Sequence, residues 1–379
     1  MEICCSHITA LRWLMTNKNP SVGLRPSRAR ALPSVTPSDA ELSRLAERLG
    51  GTVAERRHPG DGLKVADRGR PADPLVDDRL HLLVGNPFGR RERPDVVTHA
   101  CRLAMPDGSF AKVGGSESDL VVASPELVFV ELANELDLAG TVAVGYALCS
   151  RYRLDEGSTG GVAPREGDDA PLTTRRSLES FVDRAAGMHG VARARQALRF
   201  VREGSRSPME SGIAMAINLP PRYGGFGIGE VELNKSLRLR GASCPAGAGG
   251  SVVREPDILV TCRDRYGSMR RAGVEYDADG THLSSSRHAR DTVRRNEFQA
   301  DGRLPHFAIT RLQAQDYVAF SRALAQIRRE VGAKSNPWSP GAARLPADAR
   351  KAAHVQEVWA SQLELWRRWL SAAKVTVGE

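Results

Sequence analysis

The segment Gly273–His282, "GVEYDADGTH", places Glu275, Asp277, Asp279 and His282 within eight residues. Carboxylates at that density repel one another unless a metal ion, a basic helix or water neutralises them. Residues i and i+2 of a strand share a face, so Glu275 and Asp277 point one way and Tyr276 the other. Such hard oxygen ligands suit Mg²⁺ or Mn²⁺ with water positions left open, and an ion so held polarises a phosphodiester and lowers the pKa of the attacking water. A partner strand supplies a third carboxylate from either of two aspartates. Pairing Glu275 with Asp257 centres the turn on Tyr266, which suits "YGS". Pairing it with Asp264 centres the turn near Met269 and Arg270, a poorer turn sequence. Glu210 either completes the set or closes a capping box on Ser207.

The apolar patterns around these residues describe the elements that must position them. "SPMESGIAMAIN" starts as a helix, with serine as cap and proline at the first helical position. "VELNKSLRL" is strand-like, and "DILVTCRDRYGSMRRAGVEYD" reads as two strands joined at "YGS". "SSSRHARDTVRRNEFQAD" reads as a helix, "PHFAITR" as a strand and "AQDYVAFSRALAQIRREVG" as a helix. This order predicts an α/β fold with a mixed sheet flanked by helices. On the arginine-rich helix, Arg287, Arg290 and Arg294 fall on one stripe with Arg295 beside it, spacing that suits successive phosphates or a solvated face.

Upstream, "LHLLVGN", "VVTHACRLAMPDGSFAKVGG" and "DLVVAS" alternate like a small β-sheet. Short helices are expected around Thr9–Met15 and from Ser38, with Glu41 three residues on as in a capping box; a helix-turn-helix-like head and a capped surface helix both fit them. Helices are expected from Ser124 through Leu154 and over "RRSLESFVDRAAGMHGVARARQALRFV", separated by a polar glycine-rich loop, "DEGSTGGVAPREGDD". A last basic helix carries Trp359, Trp366 and Trp369 as a docking stripe or a base-stacking platform. The divisions expected are 1–123, 124–204, 205–335 and 336–379.

Lys and Arg outnumber Asp and Glu by 54 to 45 over 379 residues, a formal charge of +9 that favours a polyanion, DNA ahead of a membrane, as partner. No apolar run reaches bilayer-spanning length and no signal-peptide pattern opens the chain, so a cytoplasmic location is expected. Six scattered cysteines give neither paired metal-ligand spacing nor a disulfide framework.

The order of "SPME", then Asp264 or Asp257, then "VEYDADGTH", "RHARDTVRRNEF" and "PHFAITR" resembles the Vsr-like endonuclease-domain family of the PD-(D/E)xK nuclease superfamily, over about Ser205–Gly332. The resemblance implies a restriction-endonuclease-like fold and metal-dependent DNA hydrolysis. It assigns the ion to Glu275, Asp277 and one of Asp257 and Asp264, with Glu210 and His282 assisting and the arginine helix on the phosphate backbone. Spacing to Glu275 in that family favours Asp264, against the turn argument. Two departures stand out: Asp277 replaces the superfamily's lysine, and His282 lies one residue further on than in the tight "DGxxH" form. "VVASPELVFVELANELDLAGTVAVGYAL" resembles the region preceding the nuclease-like domain in relatives of abortive-infection AbiEi-type antitoxins. The alternative is therefore a non-catalytic DNA-binding regulator that keeps a degenerate nuclease domain, and a protein-interaction module is a third class.

Overall fold

In the computed structural model, which describes residues 3–17, 24–27, 79–86, 96–113, 120–158, 160–165, 171–240, 251–278, 304–334 and 348–371 with a few single positions between them, the chain divides into two units. These are Met1–Val201 and Arg202–Glu379. Both are α/β, with mixed sheets flanked by helices.

The first unit is built on a six-stranded sheet. Its strands are β1 (Ile3–Cys5), β2 (Leu24–Ser27), β3 (Leu80–Val84), β4 (Val96–Ala100), β5 (Phe110–Val113) and β6 (Leu120–Ala123), in the order β2-β5-β6-β1-β3-β4. β1 runs parallel to β6 and antiparallel to β3, and β4 runs parallel to β3. The alternating patterns upstream predicted β3 to β6. β1 went unpredicted because three residues are too few for a period to register, yet all three are buried between two neighbours. Helix α1 (His7–Thr16) follows β1 directly. Helix α2 (Pro125–Glu135) begins as its sequence predicts, with Pro125 in the first turn and Ser124 Oγ accepting the Leu127 N–H at 3.3 Å. It is buried on nearly every side and packs against α1.

Two expectations in this unit are corrected. The helix expected to continue to Leu154 stops as α3 (Leu138–Leu148), because Ser150 Oγ donates to the Ala147 carbonyl at 2.7 Å and Tyr152-Arg153-Leu154 becomes β7, antiparallel to β8 (Val162–Pro164). The glycine-rich stretch expected as a loop thus supplies a hairpin, its turn organised by Asp155, which accepts from Ser158 Oγ at 2.7 Å and from Gly157 N at 3.2 Å. The single helix expected across "RRSLESFVDRAAGMHGVARARQALRFV" is two, α4 (Arg175–Arg184) and α5 (Val191–Leu198). Gly190 sits between them at φ 88°, where a Cβ would collide with the Val130 carbonyl of α2 and lie 2.8 Å from Asn134 N. Apolar periodicity ran through this break; only glycine permits it.

In the second unit, Ser207 caps α6 (Pro208–Asn218), which is buried throughout. A four-stranded sheet follows in the order β14-β13-β12-β9, from β9 (Glu230–Leu233), β12 (Ile258–Arg263), β13 (Met269–Asp277) and β14 (His306–Thr310). β9, β12 and β13 are antiparallel in turn, and β14 lies parallel to β13. A separate hairpin, β10 (Leu237–Arg240) with β11 (Ser251–Arg254), lies between β9 and β12 in the chain. Helices α7 (Arg311–Gln315) and α8 (Tyr317–Glu330) follow β14, with Phe320, Leu324 and Ile327 buried. The last helix, α9 (Ala349–Trp366), packs within this unit: Gln362 Nε2 donates to the Gly225 carbonyl at 3.0 Å and Trp366 Nε1 to the Ala314 carbonyl at 2.8 Å. The tryptophan stripe is at least partly a docking surface. The helix expected over Arg287–Arg295 lies outside the described residues, as does most of the helix expected from Ser38, although Ser38 N donates to Glu41 Oε2 at 2.8 Å. Among the described residues no helix is long and apolar enough to cross a membrane.

Gly190→Ala should lower the unfolding free energy of the protein by at least about 2 kcal/mol, since it adds both left-handed strain and overlap with α2. Denaturant titration of the two proteins measures this; an unchanged midpoint would show that the α4–α5 break does not depend on that backbone conformation.

Candidate functional site

The β12–β13 hairpin fixes the acidic site of the second unit. Its turn is built by Asp264, whose Oδ1 accepts from Tyr266 N and Ser268 N at 2.9 Å each and whose Oδ2 meets Arg270 Nε at 3.2 Å. Burial pushes the Asp264 carboxyl up, but these donors outweigh it and hold the group below its usual range. The ladder runs from Arg263 opposite Met269 to Ile258 opposite Val274 and ends there, with Asp257 one residue beyond it on the side of Glu275. The structure therefore brings Asp257 to the acidic pair and places Asp264 at the far end of the hairpin as a turn-former.

β13 outruns β12. Beyond Val274 its residues pair with β14 on the other side, Glu275 with Ala308 and Asp277 with Thr310. On the open side, Asp257 Oδ2 accepts the Tyr276 N–H at 2.9 Å, a side chain taking over where the ladder ends. Glu275 Oε1 lies 3.5 Å from Nε2 of His306, a neighbour the sequence did not suggest. Asp277 is half-buried on the same face as Glu275.

Glu210 acts one step back. Its Oε2 accepts from Arg206 N at 2.9 Å and Asn234 Nδ2 at 3.0 Å, and Ser207 Oγ donates to its Oε1 at 3.1 Å. Asn234, at φ 49°, donates its own N–H to the Asp257 carbonyl at 3.0 Å. Glu210 thus holds the segment carrying Asp257. Burial raises its carboxyl above the usual range, with the donated hydrogen bonds pulling the other way. His282, Arg287, Arg290, Arg294 and Arg295 lie outside the described residues.

The first unit holds a second cluster, which sequence reasoning missed. His7 at the start of α1 meets Glu131 and Glu135 of α2, His99 on β4 meets Glu135, and His81 on β3 joins them through His99. His7 and His99 stack with ring centroids 3.5 Å apart. Among the described residues, His7, His99 and Glu135 are the set of three His, Cys, Asp or Glu side chains whose ligand atoms all lie within 4.8 Å of one another; Asp257, Glu275 and Asp277 do not form such a set. Burial, then the neighbouring His99 and His81, hold His7 well below its ordinary value, so its ring is neutral near pH 7. Burial lifts the Glu131 carboxyl to about 8. The signal was present: two glutamates four residues apart in the apolar α2, and histidines inside the apolar strands "LHLLV" and "VVTHA". His7 and His99 are too far apart in sequence for any spacing rule to join them.

Compared with known proteins, the chain matches no family model, no curated protein and no solved structure.

Glu210→Ala should cost about 2 kcal/mol, because it strips a cap and leaves buried donors unsatisfied, whereas Glu210→Gln keeps most of those bonds. The raised carboxyl of Glu210 contributes stability that is complete below its ordinary value of 4.5 and is lost as pH rises through the higher folded value. Glu210→Gln should flatten that decline in urea titrations run at a series of pH values. A variant that tracks the parent across the series would mean that the carboxyl does not set the slope.

Proposed function

We propose that the second unit is a metal-dependent DNA endonuclease of the PD-(D/E)xK kind. Glu275 and Asp277, with Asp257 beside them, would hold Mg²⁺ or Mn²⁺. The observation that carries this reading is the overhang of β13 beyond β12, which leaves Glu275 and Asp277 on one face with Asp257 held next to them by the Tyr276 N–H. The element order supports it: a "SPxE" helix, three antiparallel strands and a fourth strand parallel to the third. The donor set fits the ion, since Mg²⁺ is commonly held by one or two carboxylates while water and substrate phosphate complete its octahedron. Three converging side chains are not required. When bound, the ion polarises the scissile phosphate and lowers the pKa of the attacking water.

The chain's own residues set the geometry. Asp264 holds the turn and hence the register, and Glu210 positions Asp257 through Asn234. His306 stands beside Glu275, its Nε2 3.5 Å from Oε1. Arg287, Arg290, Arg294 and Arg295 would bind the DNA backbone and His282 would assist proton transfer, as the family resemblance implies. Asp277, where the superfamily carries lysine, cannot donate a proton, so orientation of the water falls to other groups.

One observation favours a second reading, a DNA-binding regulator with a degenerate site: Glu275 already lies against His306, which competes with an ion for its Oε1.

Glu275→Ala should reduce Mg²⁺-dependent plasmid nicking at least about 100-fold, the equivalent of losing a few kcal/mol of charge stabilisation, while DNA binding stays equal or tightens. Cleavage that survives the substitution contradicts the assignment of Glu275, and a parent that cuts with neither Mg²⁺ nor Mn²⁺ decides for the regulator. Replacing Arg287, Arg290, Arg294 and Arg295 together by alanine should flatten the slope of log affinity against log salt by about one for each phosphate that is no longer neutralised. An unchanged slope places the DNA-binding surface elsewhere.

A further inference from the structure

We infer that the first unit carries a centre for a late first-row divalent metal, of which Zn²⁺ is the natural representative, formed by His7 Nε2, His99 Nδ1 and Glu135 Oε1. The inference rests on side-chain geometry in Met1–Val201 alone and is independent of the nuclease reading.

Glu135 Oε1 lies 3.7 Å from His7 Nε2 and 3.6 Å from His99 Nδ1. A tetrahedral ion with bonds of about 2.1 Å has ligand–ligand edges of about 3.4 Å, so both edges to Glu135 Oε1 are within a few tenths of an ångström of that value, while the stacked His7 and His99 rings, 3.5 Å and 14° apart, turn about their Cβ–Cγ bonds to bring both in-plane lone pairs to one ion. Two imidazole nitrogens and one carboxylate oxygen are a borderline donor set, suited to Zn²⁺ and its neighbours and unlike the all-oxygen set that Mg²⁺ takes.

The surroundings carry the argument further. A metal-bound histidine ordinarily uses its other ring nitrogen to donate to a fixed acceptor, which sets the tautomer and the ring orientation. Both histidines have such a partner. His7 Nδ1 lies 2.9 Å from Ser6 Oγ and 3.6 Å from Glu131 Oε2. His99 Nε2 lies 2.9 Å from His81 Nδ1, and His81 Nε2 lies 3.3 Å from Asp77 Oδ2. If His99 turns a bare Nδ1 to the ion, its Nε2–H donates to His81, whose own Nε2–H is then left beside the Asp77 carboxylate, 3.3 Å away. One consistent set of tautomers runs from the ligand to a carboxylate.

The backbone is fixed to match. His7 is held at φ 50°, left-handed for a non-glycine residue, and its N–H donates to Glu131 Oε2 at 2.9 Å. Thr9 Oγ1 accepts the His81 N–H at 2.9 Å, and Arg12 donates to the Asp77 carbonyl at 2.7 Å. The other carboxyl oxygen, Glu131 Oε1, is buried and has no hydrogen-bond partner among the described residues, leaving a polar atom for a metal-bound water to meet. Three protein ligands with the fourth position left to water is the arrangement of zinc sites that exchange a ligand. His99 and Glu135 keep about a fifth of their side-chain surface exposed, so the cluster is not sealed from solvent.

The test uses the full chain, stripped with chelator and titrated with Zn²⁺ against a chromophoric competitor, with folding followed by circular dichroism. The parent should bind one equivalent that disappears in His99→Ala and Glu135→Ala, each affinity falling at least about 100-fold. Co²⁺ in the parent should give the intense visible bands of a tetrahedral site. Glu275→Ala, in the other unit, should keep the equivalent. Zinc binding unchanged in both ligand variants, or a folded parent that takes up no zinc, overturns the inference. Should His99→Ala unfold, His99→Gln, which keeps the size but not the imidazole, serves in its place.

Discussion

The acidic site depends on a single constraint, the register of the β12–β13 hairpin. Because side chains alternate along a strand, a slip of one residue would turn Glu275 and Asp277 to the opposite face, and a longer slip would remove Asp257 from their side. Asp264 prevents both. Its carboxylate gathers two backbone N–H groups across the turn and an arginine from the returning strand, so the turn has one length. The same constraint makes β13 overrun β12, and the polar network of Arg206, Glu210 and Asn234 then fixes the segment that ends at Asp257. Asp264 itself is thereby excluded from the site it helps to form.

Much of the second unit could be read from its sequence because its signals are local. The Ser207 cap, the "YGS" turn and the apolar strand cores each depend on residues within a few positions of one another, and β12, β13, β14 and α6 follow them. The choice between Asp257 and Asp264 turned on whether local turn chemistry or family spacing set the register, and the turn chemistry agrees with the observed pairing. His306 beside Glu275 could not be read, since it arrives from a parallel strand about thirty residues on.

The first unit was less legible for the same physical reason. Its central strand, β1, is three residues long, and its polar cluster joins residues from the two ends of a six-stranded sheet's sequence. Where periodicity failed, as at Gly190 and Ser150, one backbone requirement or one side-chain hydrogen bond overrode the helical pattern. The two clusters also differ chemically. The acidic edge offers mainly carboxylate oxygen to a hard ion, with His306 beside Glu275, while the histidine cluster offers nitrogen and a ladder of second-layer acceptors, so the two would select different metals.

The claim that the end of β13 holds a hard divalent ion is open to direct observation by paramagnetic broadening in the isotope-labelled full chain. With Mn²⁺ added below one equivalent, the backbone amides of Tyr276, Asp277 and Asp257 should broaden first among those of the second unit, and excess Mg²⁺ should restore them. If those amides stay sharp while others in the same unit broaden, or if Mg²⁺ fails to restore them, the ion does not sit where the carboxylates of β13 point.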